Sequence, residues 1–151
     1  MATPPASRTR EFHLDLAAEQ AILLFTAEGE RRWAAGWDPA ILSGVDERGS
    51  VFVTHAGTDR ATHWIVTAFD PAAGRIAYAR LVDGSNFGLV EVRCCPAPQG
   101  GTSVSVRYTL TPLGDEGARF VARFLEPAHF DAMIDGWKTA IDQALAAAPA
   151  R

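Results

Sequence analysis

The sequence predicts an α+β domain: a curved antiparallel sheet of about six strands, with room for a seventh, wrapped around a long C-terminal helix, with two short helices after the first strand. Three observations predict it. Between residues 50 and 113, five apolar-rich runs alternate with short turn-forming clusters, the pattern of consecutive hairpins. From Asp115 onward the turn signals stop and large apolar residues recur at helical spacing. An antiparallel sheet with one apolar face needs a cover, and the terminal helix is the one element long enough to supply it.

Each element has a local reason. Residues 1–9 begin Pro/Ser/Ala-rich and read as a flexible tail. In residues 10–16, Phe12, Leu14 and Leu16 share one face and His13 and Asp15 the other, which makes a half-buried strand. Residues 18–25 turn helical, with Ala21, Leu24 and Phe25 on one side. A second helical piece covers Glu28 to Trp33 and ends at Gly36 and Asp38-Pro39. Residues 40–49 read as a loop. The meander strands are Ser50–His55, Ala61–Phe69, Arg75–Val82, Phe87–Cys95 and Thr102–Leu113. Phe120, Phe124, Phe130, Ile134, Trp137, Ile141 and Leu145 then mark the apolar side of the long helix. Pro127 lacks a backbone donor, which predicts a break near Glu126. With residues 148–151 as a frayed end, a single domain spans 10–147.

Composition narrows the function classes. The chain has 151 residues, of which 48% are hydrophobic and 21% charged, so it has one domain's length and an ordinary globular balance. A net charge of −4 lacks the basic footprint of a dedicated nucleic-acid binder. No apolar run is long enough to span a membrane, and the first residues lack the basic-then-apolar pattern of a secretory signal. A cytoplasmic location is therefore expected. Cys94 and Cys95 are neighbours, which on a strand point to opposite faces, so they read as packing residues rather than a disulfide. The sequence contains no HxH or HExxH pattern, zinc spacing, phosphate-cradling glycine loop, nucleophile elbow or dinucleotide fingerprint. Neither a metal nor a cofactor is expected.

The element order, together with Glu30…Trp33…Gly36-Trp37-Asp38-Pro39, Val51-Phe52-Val53-Thr54, Trp64-Ile65-Val66, Ile76…Tyr78…Arg80 and the late Trp137, resembles the SRPBCC superfamily. These are the START-like and pollen-allergen-like helix-grip proteins, among them a polyketide cyclase/dehydratase-like group. The resemblance covers about residues 10–147. It implies a cavity between sheet and C-terminal helix, closed at one end by the two short helices. It does not imply one activity, because the superfamily includes lipid carriers, cyclases, hormone receptors and co-chaperone-like domains, and function must be argued from the site.

Strand phase selects the lining. On the last strand Val104, Val106, Tyr108 and Leu110 face inward; on the one before it, Gly88, Val90, Val92 and Cys94 do so. On Arg75–Val82 the larger set, Ile76, Tyr78, Arg80 and Val82, is assigned inward. An inward Arg80 needs a partner, either a carboxylate of the protein or an anionic ligand, because an unpaired buried charge is costly. The candidate ligand contacts are Trp33, Trp37, Phe52, Trp64, Tyr78, Arg80, Phe87, Tyr108, Phe124 and Trp137. If chemistry occurs, Arg80 would hold an anion while Tyr78, Tyr108, His63 or Glu30 would move protons. Glu30, near Trp rings, has the setting of a carboxyl with a raised pKa.

Three function classes follow. The first is binding of a small hydrophobic or aromatic molecule between sheet and helix. The second is a cofactor-free cyclase or dehydratase acting on an aromatic or polyketide-like substrate. The third is a chaperone-associated interaction domain, which would need an exposed apolar patch. A small hydrophobic molecule is the expected partner, a homodimer stays open, and no nucleic acid is expected.

Overall fold

The structure is a computed structural model that describes residues 4–147. The expectations of a loose start at residues 1–3 and a frayed end at 148–151 lie outside the described residues. Strand β1 (Ala6–Leu14) leads into a short helix α1 (Ala18–Ala21), which tightens into a 3₁₀ turn over Ile22–Phe25; a second 3₁₀ turn covers Gly29–Arg32. Strands β2 (Ala40–Ser43), β3 (Val51–Thr54), β4 (Thr62–Asp70), β5 (Arg75–Val82), β6 (Asn86–Pro96) and β7 (Thr102–Pro112) follow, then helices α2 (Gly114–Phe124) and α3 (Pro127–Ala147). The seven strands form one antiparallel sheet in the order β1-β7-β6-β5-β4-β3-β2. No helix among the described residues is long and apolar enough to cross a membrane.

Two elements differ from the sequence reading. Ala6 to Thr9, expected in the tail, pair with β7 from Leu110 to Arg107. The apolar alternation that marks a strand is missing there because the inner phase carries Arg8 and Arg10. Their heads reach the helices: Arg8 Nε donates to Leu125 O (2.8 Å), and Arg10 pairs with Asp135 (3.0 Å). Ala40–Ser43, expected as loop, forms the seventh strand at the far edge, against β3. Its four residues are all exposed and show no alternation, so the signal that reveals half-buried strands was absent.

The break before Pro127 falls where expected, between α2 and α3. Helix α3 lays Phe130, Ile134 and Ile141, all fully buried, onto the inner face of the sheet. Cys94 is buried and Cys95 exposed, on opposite faces. Burial pushes the Cys94 thiol up to about 12, so at neutral pH it is a small packing group and no nucleophile.

Candidate functional site

The inner face carries three linked aromatic groups. Phe52 stacks on Trp64 with ring centres 5.7 Å apart, and Trp37 and Tyr78 meet that pair edge-on. Phe25, Trp33 and Trp137 form the second group. Tyr108, Phe124 and Phe130 form the third, with Tyr108 also touching Trp137. These rings fill the interior. Between sheet and α3 lies a cavity of about 20 Å³, lined by Phe25, Glu30, Trp64, Tyr78, Val90, Val92, Tyr108 and Trp137. That holds about one water molecule, so this cavity by itself is smaller than the ligand-sized space expected there.

The larger opening lies at one end of the sheet. It measures about 770 Å³ and is walled by the β3–β4 turn, the β5–β6 hairpin and α2, through His55, Asp59, Arg60, Asp83, Glu116, Arg119, Phe120 and Arg123. Arg80 also lines it. At the opposite end a depression of about 560 Å³ is lined mainly by Ala, Gly, Pro and the two cysteines, with Glu19 its one charged residue. It offers no aromatic surface and no unpaired cation.

Arg80 points inward, as its phase predicts, and is only 8% exposed. Of the two partners the sequence reading allowed, a carboxylate of the protein is not found among the described residues. Nη2 donates to Asn86 Oδ1 (3.1 Å), and Asn86 is held in turn by donating to Ser85 Oγ (2.8 Å). Nε is buried without a hydrogen-bond partner, and among the described residues no carboxylate pairs with the guanidinium. It lies over the faces of Trp64 (5.5 Å) and Tyr108 (6.0 Å). Such stacking returns part of the cost of burial, on the order of 2 kcal/mol when desolvated. Desolvation still lowers the Arg80 pKa, though a guanidinium remains charged. Arg80 therefore stands between the opening and the aromatic interior as a cation with spare donor capacity. Gly88 makes room for it: a Cβ there would lie 2.6 Å from Leu110 Cδ2 and 3.2 Å from Arg80 Cγ.

Glu30 is set by the segment before it. Thr26 Oγ1 donates to Leu23 O (3.0 Å) and accepts from Gly29 N (2.9 Å), which starts the turn carrying Glu30. The indoles of Trp33 and Trp37 then tie it down, donating to Leu24 O (2.7 Å) and Ala27 O (2.8 Å). At Gly29 a Cβ would sit 1.9 Å from the Leu23 carbonyl oxygen. Gly29→Ala is accordingly expected to cost about 1–3 kcal/mol, as overpacking does, and to shift Glu30. A chemical-denaturation midpoint equal to that of the unchanged protein would contradict this.

Glu30 is partly exposed and is among the residues that line the small cavity. No protein group among the described residues hydrogen-bonds it, and desolvation holds its pKa well above the ordinary carboxyl range. The Tyr108 hydroxyl, also without a protein partner, is pushed up to about 12 by burial, partly offset by Arg80. Tyr78 is raised too, by burial first, and its hydroxyl donates to Phe25 O. At neutral pH both tyrosines are therefore neutral.

The Glu30 shift has a sign that can be tested. Unfolded, the group titrates near 4.5; folded, it titrates higher. The stability linked to its neutral form is whole below the unfolded value and is lost as pH rises through the folded one. As pH rises above about 4.5, the melting temperature of the unchanged protein should fall relative to that of Glu30→Gln. A difference that stays constant with pH would contradict the shift.

The sequence candidates divide cleanly. Trp64, Tyr78, Arg80, Tyr108 and Trp137 meet around the cavity and its entrance, with Glu30. Trp33, Trp37, Phe52 and Phe124 do not line the cavity; they pack behind those that do. Phe87 is corrected: it is 53% exposed on the outer face, opposite Leu81, because its odd position carries the outward phase of β6. His63 is corrected for the same reason. It is exposed, opposite Val53 and Leu81, and faces away from the interior. His55 is not its partner in register, since Thr54 pairs with Thr62 and His55 begins the turn at φ 55°. Asn86 was missed because it reads as a turn residue, although it shares the parity of Gly88 and Val90. Phe25 and the α2 residues at the opening were missed because a helix face reveals its neighbours only once packed.

Comparison with known proteins fixes the family. The family described as "Polyketide cyclase / dehydrase and lipid transport" matches residues 5–147. The chain belongs to that family. The solved structures agree on the fold. Norcoclaurine synthase from Thalictrum flavum superposes with a TM-score of 0.68 at 10% identity, covering 93% of this chain and 88% of that one. Ginseng major latex-like protein from Panax ginseng gives 0.70 at 10% identity, covering 97% and 100%. A protein from Rhodobacter sphaeroides gives 0.61 at 18% identity, covering 95% and 93%. No curated protein matches the chain in sequence. This polyketide cyclase/dehydrase-family domain is thus an SRPBCC-type helix-grip, as the sequence resemblance implies.

Proposed function

We propose that this polyketide cyclase/dehydrase-family domain binds a small, flat, hydrophobic molecule bearing an anionic group. The anion would sit on Arg80 at the floor of the opening, with the apolar body against the aromatic interior. One observation carries the reading: a buried guanidinium with an orphaned Nε, no carboxylate partner among the described residues, and an opening of about 770 Å³ in front of it. A cation kept desolvated without a protein anion is costly to the fold, and an incoming carboxylate or phenolate relieves that cost with a charge-assisted pair. The aromatic shelf of Trp64 and Tyr108 supplies the apolar surface that such sites use. The test is calorimetric titration with an aromatic carboxylate and with its neutral amide. The carboxylate should bind at least about tenfold more tightly, the value of one hydrogen bond to a charged group. Equal affinities would overturn the reading.

A second reading, acid–base turnover of the same guest, is favoured by Glu30. It lines the small cavity together with Tyr108, and desolvation raises its pKa above the ordinary carboxyl range, the direction that suits a carboxyl to proton transfer. Uptake of solvent deuterium at a carbon of the bound guest, absent in Glu30→Gln, would establish it; a guest recovered without deuterium would exclude it.

A further inference from the structure

The small internal cavity has a chemistry of its own. Its lining is mainly apolar and aromatic, and includes Glu30, Tyr78 and Tyr108. The Tyr78 hydroxyl is occupied by Phe25 O. The Glu30 carboxyl and the Tyr108 hydroxyl have no protein partner among the described residues. A carboxyl offers acceptor sites, and a donor when protonated, and a phenol offers one donor and an acceptor. At about 20 Å³ the slot fits one oxygen-sized group. Trp64 and Tyr108 form its wall and also lie under the Arg80 guanidinium. One strip of aromatic surface therefore runs from the cation at the entrance to the polar pair inside.

From this geometry we infer that the site reads its guest at two points: an anionic end on Arg80 and a hydroxyl or carbonyl oxygen seated between Glu30 and Tyr108. The guest class is a hydroxylated aromatic carboxylate or a compound of the same outline. The inference rests on the anion-binding reading above and adds the second contact. On entry, the guest's anion replaces the ring faces as partner of the guanidinium. Movement of Arg80 off Trp64 and Tyr108 then joins the opening to the slot, and the guest's ring takes the vacated surface. Its oxygen displaces whatever water the slot holds. Binding is non-covalent, and neither Glu30 nor Tyr108 changes its protonation.

The experiment uses three probes that differ by one group: para-hydroxycinnamate, cinnamate, and para-hydroxycinnamamide. Affinities are measured by calorimetry on the unchanged protein and on Tyr108→Phe, Glu30→Met and Arg80→Met. Loss of the hydroxyl should weaken binding about tenfold in the unchanged protein, as when buried polar groups are left unpaired. In Tyr108→Phe and Glu30→Met that preference should shrink to about twofold or less. Tyr108→Phe removes a single oxygen and keeps the ring, so the test survives if Glu30→Met fails to fold. In Arg80→Met the preference for carboxylate over amide should vanish while the preference for the hydroxyl stays. An Arg80-dependent carboxylate preference with no hydroxyl preference would overturn this inference and leave the anion reading standing. No carboxylate preference, or no binding of any of the three, would overturn both.

Discussion

Arg80→Met is expected to make the protein more stable and less able to hold an anion. The guanidinium is buried with one hydrogen bond from Nη2 and an orphaned Nε. Replacing a poorly compensated buried charge with an apolar side chain of similar length is typically neutral or stabilising, and here the gain should be about 1–3 kcal/mol. Met also keeps the flexible stem that packs beside Gly88. An aromatic carboxylate should bind about 10- to 100-fold more weakly, the worth of a charge-assisted hydrogen bond in a desolvated site. The two measurements, a urea midpoint and a calorimetric titration, must move in opposite directions. A fall in both would mean that stacking on Trp64 and Tyr108 makes Arg80 a structural cation, and the proposed function would lose its basis.

The second large effect belongs to the scaffold. Phe130 is fully buried at the start of α3 and meets Tyr108 and Phe124 edge-on at 5.8 and 6.3 Å. Phe130→Ala should cost about 3–5 kcal/mol, since neighbouring rings cannot close around so large a void. A shift below about 1 kcal/mol would show that α2 and α3 repack freely over β7. Because Phe130 holds the ring of Tyr108 in place, weaker discrimination for the guest hydroxyl should accompany the lost stability.

The architecture was readable because its signals are local. Alternation in the meander, the turn clusters between strands and the helical spacing after Asp115 each speak for one element, and all three agree. Elements without a pattern were lost. β2 has four exposed residues, and the start of β1 carries arginines on its inner phase. For the site, parity correctly turned Tyr78, Arg80 and Tyr108 inward, and the same parity would have placed Phe87 and His63 outside and Asn86 inside. Parity is blind to depth. It cannot show that ten aromatics pack tightly enough to leave about 20 Å³, because closure depends on how α3 and the 3₁₀ turns settle against the sheet. Nor can it show that Arg80 lacks a carboxylate, since a missing partner appears only when every neighbour is in place.

Arg80 anchors the site only if an anion finds it. The most direct measurement follows the Arg80 Nε–H resonance by nuclear magnetic resonance, assigned through its disappearance in Arg80→Met, during titration with para-hydroxycinnamate. That hydrogen has no protein acceptor among the described residues, so a bound carboxylate should move it downfield in a saturable way, with a midpoint that matches calorimetry. A signal that stays put while the compound binds, or that no aromatic anion can move, would contradict the claim that this cation is the anchor of the site.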